Sequence, residues 1–214
     1  MKLRDLIELS FKATRYFFSP ARTVLVTMVV IVLVAGTAAA QTATDSFQTG
    51  QQEVTARLSG FNEVHFDAGR AGPPLEPPAL RGAISTPASG KFRAVINENA
   101  RTIDYELSYE GLRAPVTQAH IHFGQRHTVG GIVVWLCQTS TNRSPVAVTP
   151  ECPQEGTVTG TITPDQVLAQ TAQGFAAGDF DELVRAIRNR AAYANVHSSL
   201  FPPGEIRGHI IGRR

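Results

Sequence analysis

The sequence lacks most of the patterns that would assign an activity directly. Its formal net charge is only +2 over 214 residues, which is too small for the basic surface of a nucleic-acid-binding protein. It has no G-x-S-x-G nucleophile elbow and no G-x-x-x-x-G-K-[ST] phosphate loop. The close acid pair Asp179 and Asp181 falls in a predicted first helical turn, where capping explains it. An enzyme is therefore not the favoured expectation, and nucleic acid is not an expected partner.

What is present suits a folded chain. Apolar residues make up 43% of the sequence and charged residues 18%, which excludes a fully disordered chain. The length is sufficient for one domain of ordinary size with additional segments.

The first forty residues have the order of a secretory signal peptide. A basic stretch precedes an apolar run at 24–34, and small residues then lead to an A-x-A site at Ala38–Ala40. The run has about eleven residues, whereas a membrane span needs about 20. We predict a signal peptide over 1–40 and therefore an exported protein, either periplasmic or secreted. The alternative is an uncleaved N-terminal anchor, which would be the membrane attachment of the chain.

Cysteine is scarce. The two cysteines, Cys137 and Cys152, are separated by fourteen residues. In an exported protein an even count at short range predicts a disulfide. The C-x14-C spacing does not match a structural zinc site, which needs further ligands at set positions.

Beyond residue 40 the pattern is mostly that of strands. A polar stretch at 41–52 is interpreted as a flexible linker. The Pro/Gly-rich segment 67–80 is predicted to be a surface loop without ladder pairing. Many short alternating segments predict an all-β fold over 53–212, an antiparallel, Greek-key-like β-sandwich. Strands are predicted at 53–60, 90–96, 102–109, 118–123, 131–137 and 156–162.

One segment, about 163–190, is predicted to be a helical insert. It opens with Thr163-Pro164-Asp165, a typical helix start, and contains a capping-box pattern at 179–182. The apolar residues that recur at helical spacing are expected to close one open end of the sandwich. They are Phe180, Leu183, Val184 and Ile187.

Three predicted strands each have one apolar and one polar face, because residues two apart in a strand point the same way. If the strands are neighbours, their polar faces form one patch. The patch would contain His120 and His122 from the first strand, Tyr193, Asn195 and His197 from the second, and Glu205, Arg207 and His209 from the third.

The same segments carry a family resemblance. The ordered set at 118–124 (QAHIHFG), 130–131 (GG), 193–198 (YANVHS) and 203–208 (PGEIRG) resembles the signature of the CHRD (chordin) domain, over about 54–210. The resemblance implies an exported all-β domain and no settled activity. The sequence departs from the family pattern at His65-Phe66 and at 127–129.

One hypothesis for the polar patch is a metal site. His120 and His122 would bind one ion side by side, with His197 as third ligand and His127 or water as fourth. Neutral imidazoles suit zinc or copper. The H-x-H strand also resembles the copper strand of copper/zinc superoxide dismutases, although a redox role is the weaker expectation. Ring nitrogens within about 4 Å of a common point would make an ion credible.

The other hypothesis, and the favoured one, is a structural network. The histidines would satisfy their hydrogen bonds with Asn195, Glu205, Arg207 and His209, and Glu205 would pair with Arg207. The protein would then be an extracytoplasmic binding or scaffold module for a protein or surface ligand that the sequence does not identify.

Overall fold

The structure, a computed structural model, describes residues 50–67 and 79–212. The predictions for the leader at 1–40, for the linker up to residue 49 and for the interior of the Pro/Gly segment lie outside these residues. The predicted linker extends too far, because the first strand already includes Gln51 and Gln52.

Eleven strands, one α-helix and three short 3-10 turns make up the regular structure of the described residues. The strands are β1 (Gln51–Ser59), β2 (His65–Asp67), β3 (Ala79–Arg81), β4 (Ser89–Asn97), β5 (Thr102–Glu110), β6 (Val116–Phe123), β7 (Gly131–Cys137), β8 (Gly156–Ile162), β9 (Ala192–Ser198), β10 (Ile206–His209) and β11 (Ile211–Gly212), and the helix is α1 (Phe180–Arg188).

Nine of these strands form one sheet. Its order is β7-β6-β9-β10-β1-β4-β5-β8, with β11 also paired to β1, and every strand pair is antiparallel. The sheet curls until β7 at one end contacts β8 at the other, so that it is nearly a closed barrel. The predicted all-β antiparallel fold is confirmed.

Alternation along the strands determines which side faces the core. In β1, Val54, Ala56 and Leu58 are buried while the residues between them are not, as a half-buried strand requires. Strand β9 differs, because all seven of its residues are buried. One face of β9 packs in the apolar core, and its other face is covered by connecting loops.

The helix is shorter than the predicted insert. Only Phe180–Arg188 is α-helical, and the predicted start near Thr163 is a single 3-10 turn at Pro164–Gln166. Asp179 caps α1 by accepting a hydrogen bond from the Glu182 amide at 3.0 Å, as the capping pattern predicts. The predicted apolar residues of α1 are all buried in the core.

Two ion pairs hold α1 against the β4–β5 turn. Arg188 pairs with Glu98 at 2.6 Å and Arg101 with Asp181 at 2.9 Å.

Within the described ranges, no helix has the length and apolar character needed to cross a bilayer.

The predicted disulfide is confirmed. Cys137 at the end of β7 is bonded to Cys152 in the segment before β8.

The prediction that 67–80 forms no ladder is wrong at its ends, since Asp67 pairs with Ala79 in the β2–β3 hairpin. Neither of these residues is a proline, so both retain the backbone N–H that pairing requires.

Candidate metal centre

The three predicted ligand histidines lie on neighbouring strands and on one face of the sheet. His120 and His122 belong to β6, and His197 belongs to the adjacent strand β9. Ala119 and Ile121, which alternate with the β6 histidines, are in the apolar core. The histidines therefore face away from the core, on the outer side of the barrel.

The ring nitrogens come close together. Nδ1 of His120 is 3.2 Å from Nε2 of His197, close to the separation of about 3.3 Å expected for two nitrogens bound to one tetrahedral ion. The ring centroids are 4.9 Å apart for His120–His197, 5.5 Å for His120–His122 and 5.9 Å for His122–His197.

One nitrogen from each ring lies within 4.8 Å of the other two. Three atoms at that separation all lie within about 2.8 Å of a common point, which is inside the criterion of about 4 Å given above. An inward shift of under about 1 Å would reach zinc–nitrogen bonds of about 2.0–2.1 Å. No carboxylate or thiolate among the described residues joins this group.

Backbone carbonyls determine the tautomers of two rings. Nδ1 of His197 donates to the Pro202 carbonyl at 2.8 Å, and Nδ1 of His122 donates to the Gly130 carbonyl at 3.0 Å. A neutral ring that donates from Nδ1 has its lone pair on Nε2. Metal-binding histidines are held in this way by a carbonyl on the second nitrogen.

The lone pairs are only partly satisfied. Nε2 of His197 accepts from Nδ1 of His120, which leaves the Nε2 atoms of His120 and His122 buried and without a hydrogen-bond partner. Such atoms are uncommon, because a buried polar atom that loses water without gaining a partner costs about 1–3 kcal/mol.

Burial keeps the three rings neutral. His120, His122 and His197 are 0%, 6% and 4% exposed. Loss of hydration lowers the pKa of His122 to about 3 and that of His197 to about 4. The pKa of His120 falls well below its ordinary value, first through burial and then through the charges of the other two histidines.

Loops and one aromatic ring cover the site. Trp135 of β7 lies edge-on to His120, with centroids 4.3 Å apart. The β6–β7 loop supplies the Gly130 carbonyl, and a Cβ at Gly130 would lie 2.0 Å from the Phe123 carbonyl oxygen. Glycine is needed there, because any side chain would push the loop away from His122.

A polar network borders the histidines, and its only buried side-chain atom without a partner among Asn195, Arg207 and Glu63 is Oε1 of Glu63. Asn195, opposite His120 in register, donates to Glu63 at 2.7 Å and to the Ile206 carbonyl at 2.9 Å. Arg207 donates to the Asn62 carbonyl at 2.7 Å and to the Thr128 carbonyl at 2.9 Å.

Glu63 was not predicted from the sequence. Its carboxyl is 1% exposed, and burial raises its pKa to about 7 against the opposing influence of Arg207. It lies in the short segment between β1 and β2, where no alternating pattern marks which side chains turn inward.

The predicted pairing of Glu205 with Arg207 is not found. Strand β10 starts at Ile206, and Glu205 just before it accepts hydrogen bonds from Thr86 at 2.6 Å, Ser198 at 2.5 Å and the Arg113 amide at 2.9 Å. Three donors satisfy its carboxylate away from the histidines.

The two remaining predicted residues lie outside the three-histidine group. His127 is exposed in the β6–β7 loop with a positive φ of 61°, so the structure does not place it as a fourth ligand. His209 of β10 packs near Tyr193, with centroids 5.6 Å apart.

Comparison with known proteins identifies the family. No curated protein matches the chain. The family model of the CHRD domain matches residues 54–210, which is most of the 214-residue chain. The match spans nearly all of the barrel and includes the three histidines, Asn195 and Arg207. The chain belongs to the CHRD domain family.

Proposed function

We propose that this CHRD-domain protein binds one transition-metal ion through His120, His122 and His197. The observation that carries the proposal is that one nitrogen from each of three buried imidazoles lies within 4.8 Å of the other two, while the Nε2 atoms of His120 and His122 have no hydrogen-bond partner. A bound cation would take up the Nε2 lone pair of His122 and replace the hydrogen bond between His120 and His197. Binding through Nδ1 of His120 would place that ring's proton on Nε2.

A purely structural network explains the surrounding residues better than the histidines. Asn195 and Arg207 have partners of good geometry, and they fix the segment after β1 and the β6–β7 loop over the sheet. A structural role does not account for His120 and His122 in this way, because it would leave two buried hydrogen-bond acceptors unsatisfied. The network therefore supports the loops that hold the histidines.

Zinc and copper are the proposed ions. Three neutral imidazoles suit both, and copper binds most nitrogen sites more tightly than zinc. Three protein ligands leave one tetrahedral position for water or another small ligand.

We also propose that the protein acts outside the cytoplasm. The leader-like pattern at 1–40 predicts export, and the Cys137–Cys152 disulfide is a bond that persists in oxidising compartments. Mass spectrometry of the protein isolated from its native host tests this. A mature N-terminus near Gln41 is expected, and a reduced, full-length cytoplasmic protein would contradict export.

The metal proposal is tested by titrating zinc into chelator-treated protein. We expect one ion per chain and a higher melting temperature. At a free zinc concentration of 100 times Kd, the free energy of unfolding should rise by about 2.7 kcal/mol. His197→Ala should abolish both effects. His127→Ala is the matched control, since its ring is exposed and outside the group, and it should bind like the wild type.

Cobalt supplies a readout that does not depend on a variant folding. Visible absorption of a tetrahedral cobalt complex is expected on adding Co²⁺ to the wild type, and zinc should displace it. If neither zinc nor copper binds to the wild type at micromolar concentration, the proposal is wrong.

A further inference from the structure

A groove lies on the same outer face of the sheet as the histidines. Its volume is about 790 Å³, within the usual range for small-molecule sites of about 300–1,000 Å³. It runs over the outward faces of β10, β1, β4 and β5, and the β6–β7 loop borders it.

Charge is unevenly distributed along this groove. Five cationic side chains and three carboxylates line it. The carboxylates Glu53, Asp104 and Glu106 occupy one end, where Glu106 stands directly opposite Arg93. The other four cations occupy the opposite end, which we call the basic end. They are Arg57, Lys91, Arg126 and Arg207.

Two cations of the basic end are direct cross-strand neighbours. Arg57 of β1 is paired in register with Lys91 of β4, and like charges in that position are destabilising. On the other side of Arg57, the β1–β10 register brings it opposite His209. The charges of Arg126 and Arg207 reach His209 as well.

The ion pairs that the structure describes are formed by other arginines. They are Arg101, Arg143, Arg185 and Arg188. Arg207 is buried against two carbonyls, and the nearby Glu63 is a weak counter-charge because burial raises its pKa to about 7. A concave site lined by one sign of charge concentrates counter-ions.

We propose that the basic end of the groove is a binding site for a small polyanion, a molecule with two or more clustered carboxylate or phosphate groups. Arg57 and Lys91 bind one charged group from the sheet, and Arg126 binds from the loop. Arg207 supplies positive potential from beneath. The site adjoins the histidine group but needs none of its ligands.

Calorimetric titration with citrate and with tripolyphosphate tests this proposal. Protein freed of metal on a chelating resin is used, because both probes also bind metal ions. Binding of either probe at concentrations below about 1 mM, weakened by added salt, is expected. The tighter probe identifies carboxylate or phosphate as the recognised group, and failure of both to bind overturns the proposal.

Variants locate the site. The double substitution Arg57→Gln with Lys91→Gln should raise Kd by at least about tenfold. Arg126→Gln, on a loop, is the second variant should the strand changes prevent folding, and it too should weaken binding. Arg143→Gln removes one positive charge at a distant ion pair with Glu151 and should bind like the wild type.

The anion site and the metal site can fail separately. His197→Ala should lose zinc and keep its affinity for the better probe. Wild-type affinity in the Arg57/Lys91 double variant, or an equal loss in Arg143→Gln, would overturn the proposal whatever the outcome with metal.

Discussion

Acidification should destabilise the metal-free protein, because three buried histidines resist protonation. Their ordinary pKa is 6.5, and burial lowers it to about 3 for His122 and about 4 for His197, with His120 also well below. Below pH 6.5 these histidines are protonated in the unfolded chain but remain neutral in the folded protein. Stability is therefore highest above pH 6.5 and falls as the pH decreases towards the folded-state pKa values.

The size of the effect follows from the number of groups. Between pH 7.5 and 5.5 the three buried histidines together lower the free energy of unfolding by about 4 kcal/mol. His209, whose pKa burial lowers to about 4, adds about 1 kcal/mol to this loss. Glu63 opposes them, because its pKa is raised to about 7 in the folded protein. The folded state takes up that proton before the unfolded state does, which adds back about 2 kcal/mol. The wild type should lose about 3 kcal/mol.

Urea unfolding at the two pH values, after removal of metal, measures this directly. Glu63→Gln is the informative variant, because it removes the opposing proton and should lose about 5 kcal/mol over the same interval. Stability that is flat or rises on acidification in the variant would refute the assignment of the histidines as neutral. Equal losses in wild type and variant would refute the account of Glu63.

Three further measurements follow from the structure. Zinc affinity should change less than about twofold between pH 7.5 and 5.5, because the three histidines stay neutral over this range. A site made of three histidines of ordinary pKa would lose about 10³-fold in affinity. Competition with a chelator at each pH measures the change. Reducing the Cys137–Cys152 bond, which closes a span of 15 residues, should cost about 3 kcal/mol in chemical denaturation. Asp179→Ala should cost about 1 kcal/mol in the same assay by removing the cap of α1, and no loss would exclude that role.

Local patterns were sufficient for most of the fold. Alternation predicted most strands of the large sheet, because each has one face in the core and one face outside it. The β2–β3 hairpin was not predicted. The capping pattern at Asp179 and the apolar spacing after it predicted α1. The long insert was overestimated because Thr163-Pro164-Asp165 starts a turn as readily as a helix, and the residues after it lack a continuous apolar stripe.

Alternation also placed His120 and His122 on one face, which is a local property. The adjacency of His197 depended on the β6–β9 register, and only the family resemblance suggested that these segments belong together. The burial of Glu63 and the exposure of His127 depend on how loops fold over the sheet. Loop conformation depends on tertiary contacts such as those of Arg207, and no periodicity in the sequence encodes them.

The position of the histidines outside the barrel but under its loops has a kinetic consequence. An ion could enter or leave when the β6–β7 loop or the segment around Pro202 swings aside, without any disturbance of the hydrophobic interior. Residence time would then depend on loop opening, and a chelator would strip the metal slowly even if the equilibrium favoured its removal. Substitutions that loosen those loops would shorten that time and leave the melting temperature of the metal-free barrel almost unchanged.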